Sequence, residues 1–153
     1  MFYQKLGDAL KNLPENEQKH ALFYVSLEND RFNLCTVLRA KNLDYDSHWI
    51  RIAISRHSFR VSEKTVENLV MAEDFESALK IIRQTCYGKF FSRRETPEEI
   101  VSMAEEAFRK AVFMHAKRTK VGDLFNIGVV LGFLIQKEAE IRNLTIISLG
   151  IEY

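Results

Sequence analysis

The first residues to weigh for chemistry are Glu17 and His20. Their Glu-x-x-His spacing is the one that di-metal carboxylate bundles use to place a carboxylate and an imidazole on one helix face. Such a centre needs a second Glu-x-x-His and two further glutamates. The residues three places before His48, His57 and His115 are Tyr45, Ile54 and Val112, so the second half is missing. No histidine has a Cys or His partner at zinc-ligand spacing. Asp44, Asp46 and His48 could attract a cation, but the Gly and terminal Glu of a calcium loop are absent. They read better as a cluster of helix caps. There is no Gly-rich phosphate loop and no serine nucleophile elbow. Cys35 and Cys86 are too few for a disulfide framework and read as small buried hydrophobes in a reducing compartment. The pattern calls for no catalytic residue, no metal and no cofactor.

What remains is a polar cluster set in apolar surroundings, and it occurs twice. Lys137-Glu138-Ala139-Glu140-Ile141-Arg142-Asn143-Leu144 interrupts a stripe running through Ile127, Val130, Leu131, Leu134, Ile135, Ile146, Ile147 and Leu149. Glu138 and Arg142 form an i,i+4 pair in the favourable order. Glu28, Asp30 and Asn33-Leu34 repeat the spacing of Glu138, Glu140 and Asn143-Leu144 at an offset of 110 residues. At that offset Phe23 matches Phe133, Val25 matches Ile135 and Val37 matches Ile147. An asparagine inside an apolar stripe needs a partner, because burying an unpaired amide costs about 1–3 kcal/mol. The repeat points to a partial internal duplication, about 14–42 and 122–151, within one helical domain over 1–153.

The elements that must hold these clusters are helices. Phe2 to Leu13 reads as a short helix. A long one starts near Pro14, carries Glu15 and Glu17 at its positive end, and runs to about Lys41, with Asn42 as a left-handed stop. A short helix from about Trp49 to Arg56 should bury Trp49, Ile50 and Ala53. His57 to Arg60 is a loop. Ser62 caps Glu63–Ala72, and Asp74 caps Phe75–Tyr87, with Cys86 inward and Gly88 as terminator. Phe90 to Glu95 connects to the clearest start signal in the chain, Thr96-Pro97-Glu98-Glu99. That helix carries Ile100, Ala104, Ala107, Phe108, Ala111 and His115 along one stripe, so His115 reads as a core histidine. Glu105–Arg109 and Glu106–Lys110 are expected pairs on its other side. Val121-Gly122 leads into the last helix, Gly122 to Leu149, whose wide stripe implies at least two packing neighbours. Sustained alternation and hairpin signals are lacking. The fold class is all-α: a compact helical bundle with two long helices and several short connecting helices.

Composition narrows the function. With 46% apolar and 28% charged residues, the 153-residue chain is globular rather than disordered. A net charge of +1 leaves no footprint for nucleic acid. Ser62 to Lys80 could fold as a helix-turn-helix, but Glu63, Glu67 and Glu73 make a poor face for phosphates. The longest apolar run, Ile127 to Ile135, is nine residues, against about 20 for a membrane span. The start, Met1-Phe2-Tyr3-Gln4-Lys5, does not read as a signal peptide.

Lys-Glu-x-Glu-Ile-Arg-Asn-Leu at 137–144, with Asp30-x-x-Asn33-Leu34-x-x-x-Leu38-Arg39-Ala40-Lys41 upstream, resembles the C subunit of the archaeal and bacterial A/V-type ATP synthases. The family includes the d subunit of the vacuolar ATPase. Val61-Ser62-Glu63, Leu69-Val70-Met71-Ala72, Phe75-Glu76-Ser77-Ala78-Leu79 and Thr85-Cys86-Tyr87-Gly88 resemble its connecting helices. The resemblance implies a non-catalytic coupler that links the central shaft to the membrane proteolipid ring for proton or sodium transport. It implies a cytoplasmic protein, peripheral at the membrane, whose membrane contact is indirect. Asp30, Asn33, Arg39, Glu138, Glu140, Arg142 and Asn143 are the matched polar positions, for partner binding or for helix packing. The resemblance also implies three such domains, whereas only ten residues follow Asn143. Two readings stand: a portion of a longer protein, or a short relative whose copies assemble into a homo-oligomer. A helical adaptor unrelated to ATPases is the alternative function.

Overall fold

One long helix, α1 (Glu15–Asn42), is the axis on which the rest is hung. The computed structural model describes residues 5, 8–55, 60–91, 96–119 and 127–151. At 28 residues α1 is about 42 Å long. Its residues bury on several sides at once: Leu27, Leu34, Val37 and Leu38 enter the main core, while Ala21 and Val25 enter a second cluster with Leu10. Helices α2 (Ser47–Ala53), α3 (Glu63–Met71) and α4 (Phe75–Arg83) follow, then a 3-10 turn at Gly88–Phe90. Two long helices close the chain, α5 (Pro97–Thr119) and α6 (Ile127–Ile151). Helix α1 touches each of the other five, and α5 packs against both α1 and α6. Among the described residues there is no strand, in line with the expected all-α class.

The short helices form as their caps dictate. Asp46 accepts from the His48 N–H (2.7 Å), Ser62 Oγ from Thr65 N–H (3.1 Å) and Asp74 from Ser77 N–H (2.8 Å). Val66, Leu69 and Val70 of α3 and Phe75, Ala78, Leu79 and Ile82 of α4 lie at i, i+3, i+4 spacing and are buried. Thr96 Oγ1 accepts from Glu99 N–H (3.3 Å) at the start of α5.

Several boundaries differ from expectation. Pro14 lies just outside α1 rather than in its first turn. Asn42 is not the left-handed stop: it remains helical and its amide donates to Glu98 Oε1 (2.7 Å), while Asp44 takes φ 55°. Helix α2 ends at Ala53, and only Ile50 is buried; Trp49 and Ala53 face out. Helix α4 stops at Arg83 because the Thr85 hydroxyl donates to Ile82 O (2.7 Å) and then accepts from Tyr87 N–H (3.2 Å). That turn sends Tyr87 inward and leaves Cys86 exposed, contrary to its expected burial. Gly88 is fixed there by close approach, since a Cβ would sit 2.3 Å from Arg83 O. The Phe2–Leu13 helix is described only in part, with residues 8–10 helical. His57 and its loop, Arg93, Arg94, Val121 and Gly122 lie outside the described residues.

Candidate functional site

The first polar cluster forms a clasp on α1. Asp30 and Asn33 point to the side where the chain returns from α2, and both are buried (1% and 2% exposed). Asn33 uses both ends of its amide on one residue: its Nδ2 donates to Ser55 O (3.1 Å) and its Oδ1 accepts from Ser55 N–H (2.8 Å). Asp30 Oδ2 accepts from Arg60 N–H (3.1 Å) and from the Tyr87 hydroxyl (2.9 Å). Burial, then the Asp30 charge and that hydrogen bond, hold the Tyr87 phenol far above its ordinary pKa, so it stays a donor. Two side chains on adjacent turns thus tie down the α2–α3 connection and the end of the α4 turn. Tyr87 in turn packs on Phe108 (4.9 Å between ring centroids), which also meets Phe90 and Phe91.

Arg39 is on the same helix but serves a different tie. Its guanidinium is bidentate on Glu105 of α5 (2.9 and 2.8 Å), and Arg31 reaches the same carboxylate at 3.4 Å while also holding Glu28. The expected Glu105–Arg109 pair is therefore replaced: Glu105 turns inward to α1, and Arg109 pairs with Glu106. Burial pushes the Glu105 carboxyl up, but the Arg39 hydrogen bonds and the charges of Arg39, Arg31 and Arg109 outweigh it and hold the group below its usual range. Beside this pair, burial pushes the Cys35 thiol up to about 12.

The second cluster sits in unlike surroundings. Glu138, Glu140 and Asn143 are exposed and Arg142 is half-buried. Asn143 therefore carries no burial cost, unlike its expected counterpart Asn33. The ion pair on this stretch is Lys137–Glu140 (2.7 Å), not Glu138–Arg142. The expected packing of α6 on two neighbours describes its first half only. There Ile127 and Leu131 meet the Leu10–Ala21–Val25 cluster, and Gly132 lies so near α5 that a Cβ would be 3.2 Å from Ala116 O. From Asn143 to Gly150 every residue is exposed, and Ile141, Leu144, Ile146, Ile147 and Leu149 are 56–65% exposed.

Ser55, Tyr87, Glu105 and Arg31 complete these ties, and sequence spacing does not single them out. Tyr87 stands within the Thr-Cys-Tyr-Gly stretch, but nothing local marks a residue that must meet Asp30 57 positions away. Among the described residues no group of three or more His, Cys, Asp or Glu converges as metal ligands would. None of their helices is long and apolar enough to cross a membrane.

The fold and its ties thus define a helical module whose buried Asp30 and Asn33 are spent on internal bonds and whose last helix is half uncovered. Residues 1–153 match the sequence profile of the family described as ATP synthase (C/AC39) subunit, and the chain belongs to that family. It is similar to the C subunit of the A-type ATP synthase of Methanobrevibacter smithii (29% identity; 90% of this chain, 37% of that one). It is likewise similar to the C subunits of the A-type enzymes of Pyrococcus abyssi (29%; 98% and 41%) and Thermococcus kodakarensis (26%; 94% and 39%). The chain spans about two fifths of the length of these relatives. No solved structure matches it.

Proposed function

We propose that this chain is a non-catalytic coupling element of a rotary A/V-type ATP synthase, joining the central shaft to the membrane proteolipid ring so that rotation and proton or sodium movement are linked. The family match along the whole of residues 1–153 carries this reading. The mechanics support it. A coupler must pass torque without bending, and three helices of 28, 23 and 25 residues, packed together and tied by the Arg39–Glu105 bridge, make a stiff frame. It must also dock, and the row of large apolar side chains on the second half of α6 is more than a free surface usually leaves in water. On this reading the contact with the membrane sector is peripheral, made on its cytoplasmic side through surface residues. Glu138, Glu140, Arg142 and Asn143 frame the docking row, while Asp30, Asn33 and Arg39 keep its support in shape. The likeness between 14–42 and 122–151 is read as a partial internal repeat within one helical domain.

A tagged chain expressed in its own host is expected to bring down shaft proteins and proteolipids from detergent-solubilised membranes. Arg142→Glu and Ile147→Asp should each abolish that capture. Recovery of an unrelated set of partners, indifferent to both changes, would favour a general helical adaptor instead. Native mass measurement of the purified chain separates a monomer from a closed homo-oligomer.

A further inference from the structure

An open pocket of about 510 Å³ lies where the first half of α1 faces the second half of α5, and the ties described above use none of its lining side chains. Its lining includes Lys19, His20, Phe23, Ser26, Arg60 and His115. Four of these six can carry positive charge, and no Asp or Glu stands among the described lining residues. Two of the four flank one aromatic ring. His115 stacks on Phe23 (centroids 3.8 Å apart, 22° between planes), and the Arg60 guanidinium carbon stands 5.2 Å from the Phe23 centroid. The His20 ring is 6.4 Å from that of His115. Arg60 is held in place by its own backbone, whose N–H is bound to Asp30. None of the ion pairs among the described residues includes Lys19, His20 or Arg60.

Like charges held close repel one another, so the cluster favours an entering anion; the buried Asp30 carboxylate accepts from the Arg60 N–H but is not among the lining residues. His115 reports that field: burial first, then the charges of His20, Arg118 and Arg60, hold its pKa below the ordinary histidine value. Tyr24 packs edge-on against the other side of this group, 5.3 Å from the His115 ring centroid.

We propose that this pocket binds a phosphate-type oxyanion, with Arg60 and Lys19 as the fixed charges and the His20 and His115 rings as hydrogen-bond donors. The inference goes beyond the coupling role and stands or falls without it. A bound dianion reverses the local field, so it raises the His115 midpoint and binding takes up a proton. The affinity for an anion of constant charge therefore increases as pH falls through the His115 midpoint. The source of the oxyanion is either a free inorganic anion or the phosphate of a nucleotide.

The test is an NMR titration of the His115 ring signal in the full chain, at constant ionic strength, with inorganic phosphate, sulfate and ADP in turn. Sulfate keeps its charge over the whole range and so removes phosphate's own titration. The His115 midpoint should rise by about one pH unit on saturation. Lys19→Gln/Arg60→Gln, both exposed positions, should weaken binding by about tenfold or more with an unchanged helical spectrum. Tighter binding of ADP than of phosphate assigns the site to a nucleotide; equal or weaker binding assigns it to the free anion. A midpoint unmoved by all three, or moved equally in the double variant, overturns the proposal.

Discussion

Replacing Asn33 by alanine removes a side chain that grips Ser55 at both its N–H and its carbonyl (2.8 and 3.1 Å) from a site only 2% exposed. Each hydrogen bond contributes about 0.5–1.5 kcal/mol, and each group left without its partner under partial cover costs about as much again. Ser55 is half-buried, so water recovers part of the loss. The expected destabilisation is about 2–3 kcal/mol, which for a chain of this size lowers Tm by about 5–10 °C. Asn143→Ala is the matched control. Its side chain is exposed, so the change should stay within about 0.5 kcal/mol. Urea unfolding followed by far-ultraviolet circular dichroism measures both. If Asn33→Ala costs no more than Asn143→Ala, the clasp contributes nothing to stability.

Three further outcomes follow from the same geometry. The Glu105 carboxyl is depressed in the folded chain, so the stability it contributes is present above its unfolded pKa and is lost as pH falls through its folded value. Acid titration of stability should therefore be shallower below about pH 5 for Glu105→Gln than for the parent, which will be the more stable at pH 7. Gly88→Ala forces a Cβ against the Arg83 carbonyl and should cost about 2 kcal/mol or more in the same unfolding assay, with residues 83–91 shifting most in amide chemical shift. Iodoacetamide at pH 8 should alkylate exposed Cys86 within minutes and spare Cys35, whose thiol is buried and pushed up to about 12; mass spectrometry of tryptic peptides reads the ratio.

How much of this is legible in the chain depends on the range of the interaction. Helix class, the caps at Asp46, Ser62, Asp74 and Thr96, and the inward faces of α3 and α4 are written in residues a few positions apart, and they are readable. Asn33 can be flagged as needing a partner, but not which one, because Ser55 lies 22 residues away. Glu105 has a local candidate in Arg109 and a distant one in Arg39; the bidentate distant tie wins, and no spacing rule reports that. Cys86 departs from its expected burial because one hydroxyl, that of Thr85, ends α4 early and rotates the next residues. The second half of α6 shows the opposite limit. Its apolar stripe is plain, yet periodicity says only that a face wants cover, and here nothing among the described residues covers it.

That uncovered row offers the most direct test of the coupling role. Amide hydrogen exchange can be followed at residues 141–150 in the isolated chain and in the chain captured with shaft and ring. Fast exchange is expected at these amides when the chain is alone and strong protection in the assembly, with the α1 clasp protected in both. Equal exchange at 141–150 in the two states would mean that the row docks on nothing in the rotor, and would contradict the coupling role.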